Sequence, residues 1–332
     1  MKSFLRKLFS FLGIPILIIA FCLLLSYMIF DPFKVLFSYD HYSLSPVVPN
    51  RDYISSEIYL NNRGKYQYNS FIFGNSRTYA FNVNAWKKYL DKNAKPFVFD
   101  ASSETIDGIY SKIRFIDSTG GKLDNVLILV CRNLTFNKKF DGHLFLSHPV
   151  IAGNSKLMFQ FAYFKAYTNI NFLKAFYSYK IFGKYEDWME NYLSLSRNIG
   201  MDPITNQITV IDYENEILTN KDNYYKKRIN IFYTRTHERI DSINRINAGH
   251  VFMLNEIKRI FKKNNTHYKI IISPLYEQMK FTATDKKILE HIFQDNLYDF
   301  SGKNKFTDSI TNYHEASHFR PLVGDSILSI IY

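Results

Sequence analysis

The sequence predicts an α/β domain with a parallel sheet, tethered by one N-terminal membrane helix. Two observations lead there. No residue from Leu8 to Phe30 is charged, and short aliphatic runs alternate with helical patterns through the remaining chain.

The uncharged stretch is 23 residues long. At about 1.5 Å per residue it crosses a hydrocarbon core of about 30 Å with some tilt. Ser26, Tyr27, Met28, Ile29 and Phe30 make a poor cleavage site, so the segment reads as a retained anchor. Lys2, Arg6 and Lys7 precede it, which predicts a cytoplasmic N-terminus and an extracytoplasmic domain. The expected layout is a stub and anchor over 1–30, an irregular lead-in over 31–65 with Pro32, Pro46 and Pro49, and a domain over 66–332.

Within the domain, Ser70 to Phe73, Pro96 to Asp100 and Val126 to Cys131 read as buried strands. Val83 to Leu90 and Ile106 to Ile116 carry apolar residues at helical spacing between them. This β-α-β-α-β order calls for a parallel sheet with helices on its faces. An insertion is expected over about 150–245. Phe159 to Tyr192 is aromatic and helical, while Asp202 to Tyr225 is polar and reads as loop with short strands. The alternation resumes with a helix over Ala248 to Lys263 and a strand over Tyr268 to Ile272. A helix over Asp285 to Phe293, a strand over Leu297 to Phe300 and a helix over Pro321 to Ile331 follow.

The net charge is +12, but Lys and Arg are scattered among acids and form no nucleic-acid arm. A basic domain beside an anionic membrane or wall fits that pattern. The chain holds 25 Tyr and 30 Phe, more than a core of this size takes, so surfaces and clefts must be aromatic. Cys22 and Cys131 fall in the anchor and at a strand end. No disulfide framework, metal spacing or cofactor motif is read from them.

Three segments carry candidate chemistry. Gly74-Asn75-Ser76-Arg77-Thr78 follows the first strand, at the carboxyl edge where open α/β sheets bind ligands. A helix behind Ser76 would offer backbone N–H groups to an oxyanion. Glu315 and His318 are three apart, so one helical turn would put them on one face. The carboxylate would then make the imidazole a base for a hydroxyl nucleophile. Ser102 and Ser103 follow the second strand and Asn133 the third; with the Ser76 N–H they are candidate oxyanion donors. Arg77 and Arg320 are candidate substrate-binding cations.

Taken together, Gly74-Asn75-Ser76-Arg77-Thr78 at one end and Ser317-His318-Phe319-Arg320-Pro321 with Val323-Gly324-Asp325 at the other resemble the SGNH (GDSL-type) hydrolase family. The likeness is to its membrane-anchored branch associated with bacterial surface polysaccharides. It spans roughly Ser70 to Ile331. It implies a flavodoxin-like three-layer parallel sheet with the aromatic helical insertion. It further implies a Ser76–His318–Glu315 esterase or O-acyltransferase without cofactor or metal, acting on a cell-surface glycan, with a membrane acyltransferase as a candidate partner. Asn75, Arg77, Ser102 and Glu315 stand where the family has Asp, Leu, Gly and Asp. These variations motivate a second expectation, a non-catalytic glycan-binding or assembly protein on the same scaffold.

Overall fold

A computed structural model describes residues 2–40, 42, 46–193 and 199–332. The chain divides into two compact units. One gathers Met1–Pro49, Gly142–Leu144 and Ser155–Ser196; the other holds Asn50–Asp141, Phe145–Asn154 and Arg197–Tyr332.

Helix α1 (Lys2–Phe30) opens the chain. Its stretch Gly13–Phe30, with a mean hydropathy of 2.5, is long and apolar enough to cross a membrane. Helix α2 (Arg51–Tyr66) lies where the sequence leads one to expect an irregular lead-in. The prolines at 46 and 49 precede the helix and so interrupt nothing. The Asn50 side chain caps it, accepting from Tyr53 N at 3.0 Å. Tyr53, Ile54, Ile58 and Tyr59 bury one face. Residues 41 and 43–45 of the lead-in lie outside the described residues.

The sheet then forms in the expected order. Strand β1 (Ser70–Gly74), helix α3 (Val83–Lys87), strand β2 (Pro96–Asp100), helix α4 (Ile106–Ser118) and strand β3 (Asn125–Val130) follow one another. Every residue of these three strands is buried, as continuous aliphatic and aromatic runs covered on both sides must be.

Helices α5 (Pro149–Ala152), α6 (Lys156–Tyr167) and α7 (Ile170–Phe182) come next. An antiparallel hairpin of β4 (Ile199–Met201) and β5 (Ile208–Val210) leads into helix α8 (Ile211–Lys227). The expected loop with short strands over 202–225 is therefore corrected from Ile211 on, where the chain is helical, kinked at Asn220; β5 is the short strand before it. The polarity of α8 misled because only Ile217, Tyr224 and Tyr225 are buried while the other faces are wet. The expected insertion over 150–245 is not one body. Residues 155–196 group with α1, and the residues from 197 on belong with the sheet; residues 194–198 lie outside the described set.

Short strand β6 (Arg239–Ile240) and helix α9 (Ala248–Lys263) precede β7 (His267–Ile272). Strand β8 (Met279–Lys280) pairs with β6. Helix α10 (Ala283–Phe293), strand β9 (Leu297–Asp299), the hairpin of β10 (Tyr313–Glu315) and β11 (His318–Phe319), and helix α11 (Pro321–Ile331) end the chain.

The central sheet has five parallel strands in the order β2-β1-β3-β7-β9. The strand order reverses at β1 and β3, which makes a switch point at their carboxyl ends. One face, with Ile72, Val98, Leu127, Leu129 and Ile271, packs with Trp86 of α3 and with Val323, Ile327 and Leu328 of α11. On the other face Tyr59 of α2 meets Phe71, Phe97 and Phe99, with ring centroids 5.9, 5.7 and 5.0 Å apart. Each such buried aromatic contributes about 1.5–3 kcal/mol, and part of the aromatic excess is thus sheet core.

Candidate active site

The site starts at the end of β1. Gly74 has φ +153, and a Cβ there would stand 3.0 Å from Leu129 Cβ and from Thr78 Cγ2. Only glycine allows the chain to turn this sharply against β3. Asn75 Oδ1 then accepts from Arg77 N at 3.1 Å, and the Asn75 carbonyl accepts from Thr78 N at 2.9 Å. The turn is a 3-10 helix over Ser76–Ala80, in the place of the helix expected behind Ser76. The N–H groups of Arg77 and Thr78 are used inside it.

The base comes from the other end of the chain. Glu315 and His318 do not share a helix turn as expected; they face each other in the β10–β11 hairpin. The tight turn brings i and i+3 together as closely as a helix would. His318 Nδ1 bonds Glu315 Oε1, and Glu315 Oε2 accepts from Ser317 N at 2.6 Å. His318 Nε2 lies 2.7 Å from Ser76 Oγ. A carboxylate at Nδ1 favours the tautomer protonated there, which leaves Nε2 to accept from the hydroxyl. Burial works to raise the Glu315 carboxyl, but the His318 hydrogen bond and charge, the Ser317 N–H and Arg77 outweigh it and hold it below its usual value. The Tyr79 ring lies parallel to the imidazole at 6.4 Å.

Two further contacts lock these halves. Arg77 Nε donates to the Ser317 carbonyl at 2.7 Å. A Cβ on Gly324 would stand 2.0 Å from the Ala80 carbonyl oxygen, so α11 lies directly on the backbone of the Ser76 turn. The hairpin itself is held from α8, where Tyr224 Oη donates to His314 O at 2.7 Å and Tyr225 Oη to Tyr313 O at 2.9 Å.

The candidate oxyanion loops are firmly built. After β2, Ala101 N donates to Gly74 O at 3.2 Å, and Ser103 adopts φ 51. Arg51 grips Asp100 through Nε at 3.1 Å and Nη2 at 2.7 Å, and Lys112 bonds Glu104 below the same loop. After β3, Arg132 pairs with Asp241 and, at 2.6 Å, with Glu277. Asn133 Oδ1 accepts from Arg77 Nη1 at 3.2 Å. Ser102, Ser103 and Asn133 are not among the residues that line the cleft at Ser76.

The two cations expected to hold substrate are engaged by the protein. Arg77 is bonded to Ser317 and Asn133. Arg320 forms a fork with Glu214, Nε to Oε1 at 3.0 Å and Nη2 to Oε2 at 2.8 Å, and donates to Thr311 O at 3.0 Å. Arg320 sits one residue before α11, so its side chain turns toward α8 instead of outward.

Beside Ser76 and His318 opens a cleft of about 140 Å³ with mostly apolar walls, made in part by Tyr79, Ile208, Val210, Tyr213 and Phe319. Glu214 and His314 also line it, 2.6 Å apart. Burial pushes the Glu214 carboxyl up, but hydrogen bonds from His314 and Arg320 and their charges prevail and bring it down to about 2. Sequence reasoning missed this wall. Residues 207–214 carry no motif, and only their pairing and burial in the fold mark them. His314 stood within a quoted motif, next to Glu315, but its partner lies 100 positions away.

Among the described residues, no group of His, Cys, Asp and Glu is arranged to hold a metal ion. No family model matches the sequence, and no curated protein matches it either.

Proposed function

We propose that this chain is a membrane-anchored serine esterase or O-acyltransferase acting on a cell-surface polysaccharide. The observation that carries the reading is the relay of hydroxyl, imidazole and carboxylate at Ser76, His318 and Glu315. Three such groups in series, at the carboxyl edge of a parallel sheet, match the requirements of acyl transfer.

In this scheme His318 Nε2 takes the Ser76 proton while Oγ attacks an ester carbonyl. The protonated imidazole, balanced by Glu315, gives its proton to the leaving alkoxide. An acyl-Ser76 ester remains. Water or a sugar hydroxyl then loses its proton to His318 and attacks the acyl carbon, freeing Ser76. The Ser76 N–H, with N–H groups at Ser102 or Ser103 and the Asn133 amide, is proposed to hold the oxyanion.

The cleft supports a small acyl group. Its 140 Å³ is close to the roughly 150 Å³ cavity that holds one benzene. The SGNH-like, flavodoxin-like assignment rests on the strand order and on Ser76 and His318 lying near the start and the end of the domain's sequence. Anchoring through α1, with the N-terminus cytoplasmic and the domain outside, rests on the apolar stretch and on Lys2, Arg6 and Lys7 before it. A membrane acyltransferase is proposed as a candidate partner.

The test is Ser76→Ala. It should abolish ester hydrolysis and labelling by a fluorophosphonate probe; unaltered rates would end the reading. A second reading, glycan binding without catalysis, is favoured by the absence of Ser102, Ser103 and Asn133 from the cleft wall. It requires polysaccharide binding with no labelling of the unmodified protein.

A further inference from the structure

The α6–α7 hairpin buries one aromatic face and leaves a second apolar face bare. The inner face is settled. Phe159, Tyr163, Tyr167, Phe172 and Phe176 are buried. They meet the C-terminal end of α1 and the residues just after it. Tyr27 and Tyr167 centroids are 5.1 Å apart, Phe30 and Phe176 5.8 Å, and Phe33 and Phe172 4.8 Å. Ser26 Oγ and Tyr167 Oη share a hydrogen bond of 2.6 Å.

A satellite core accounts for that face alone. On the outside, Leu157, Ile170 and Ile181 are 79%, 75% and 70% exposed. Met158, Phe161 and Phe182 are exposed with them. Leu157, Met158 and Phe161 share one side of α6 by their three- and four-residue spacing. So much bare apolar surface on a single hairpin marks a surface that is covered in use.

We infer that the α6–α7 hairpin is an interfacial membrane helix pair, with Leu157, Met158, Phe161, Ile170, Ile181 and Phe182 seated in the outer edge of the bilayer beside the anchor. The inference rests on the anchoring proposed for α1. Three observations choose lipid as the occupant. First, the hairpin attaches at residues 26–33, the level at which the apolar stretch ends at Asp31. That level is the boundary between hydrocarbon and headgroups. Second, most apolar side chains of α1 from Ile14 to Phe30 are exposed, Tyr27 on the hairpin side being the buried one, so the apolar surface of the hairpin continues one already open to solvent. Third, the segment from Lys156 to Tyr185 holds five lysines and no acidic residue. Lys180 lies 5.6 Å from the Phe30 ring, and Lys174 lies 5.0 Å from that of Trp188. Lysines and amphipathic aromatics around an apolar face are the composition of a helix lying about 5–10 Å into an anionic interface.

The experiment uses the full chain in a Cys22→Ser background, where Cys131 is buried. Nitroxide labels are placed singly at Leu17→Cys, Met158→Cys, Phe161→Cys, Ile181→Cys and Lys92→Cys in phosphatidylcholine–phosphatidylglycerol nanodiscs. Collision with oxygen and with an aqueous nickel chelate is measured. Labels at 158, 161 and 181 should favour oxygen, as the one at 17 does, while the one at 92 favours nickel. If the three hairpin labels behave like 92 while 17 stays in lipid, the inference is overturned and the anchor stands. Labels shielded from both reagents would mean a protein surface covers the hairpin, which also overturns it. A label at 17 that meets nickel would remove the anchor and this inference together.

Discussion

Arg77 and Ser317 are joined by a hydrogen bond of 2.7 Å from Nε to the carbonyl oxygen. The residue after the candidate nucleophile thereby holds the residue before the candidate base. The same guanidinium reaches Asn133 Oδ1 at 3.2 Å, so one side chain ties together the loops after β1 and β3 and the β10–β11 hairpin. Lysine is a single point donor and cannot serve both acceptors with this geometry. Arg77→Lys is expected to lower kcat by up to about 10²-fold through misplacement of Ser76 against His318, with KM little changed. Steady-state kinetics on a soluble short-chain ester checks the split; a rise in KM at constant kcat would assign Arg77 to substrate instead.

Glu315 bonds His318 Nδ1, and in the proposed mechanism it orients the ring and balances the imidazolium. Glu315→Gln should cost about 10²–10⁴-fold in kcat, the usual span for loss of an acid–base partner, while far-UV and thermal signatures remain. Glu315→Asp should recover part of that loss, since the shorter side chain keeps the charge and loses the reach.

Gly324 touches the carbonyl of Ala80 where any Cβ would stand 2.0 Å away. Gly324→Ala must push α11 off the Ser76 turn. A loss of about 1–3 kcal/mol in urea unfolding is expected, typical of overpacking, together with lower esterase activity. Ser329→Ala, exposed on the same helix, should change neither.

Glu214 couples the cleft wall to Arg320 and His314. Its carboxyl is brought from an ordinary 4.5 to about 2 by those partners against the effect of burial. A depressed carboxyl stabilises the fold above its ordinary value, and this contribution disappears as pH falls toward the depressed one. Unfolding measured across pH should therefore show Glu214→Gln less stable than the unmodified chain above pH 4.5, with the two curves converging as pH approaches 2.

In the proposed reaction the volume of the cleft limits acyl length. Acetyl to butyryl esters should react faster than octanoyl esters in a chain-length series. Val210→Ala removes two carbons from the wall and should raise the relative rate on hexanoyl over acetyl esters. Equal rates across the series would show that the acyl chain lies elsewhere.

The sheet was legible because buried parallel strands leave unbroken aliphatic runs such as Val126 to Val130, and because α9 and α11 carry apolar residues at helical spacing. Helix α2 was hidden by the prolines before it, and α8 by its polarity. The pairing of Glu315 with His318 was legible from their separation, though its form was not: a tight hairpin and a helical turn bring i and i+3 equally close.

By itself the sequence determined the apolar stretch up to Phe30, the alternation that makes a parallel sheet, and a Ser76 near the start and a His318 near the end of the domain's sequence. Those are local properties, written in neighbouring residues. Only the tertiary structure decided that the two groups stand 2.7 Å apart across 242 positions, that Arg320 turns to Glu214, and that Ile208, Val210 and Tyr213 wall the cleft. These depend on how distant surfaces dock, as Gly324 does on Ala80, and docking is set by complementarity between segments that no local pattern encodes.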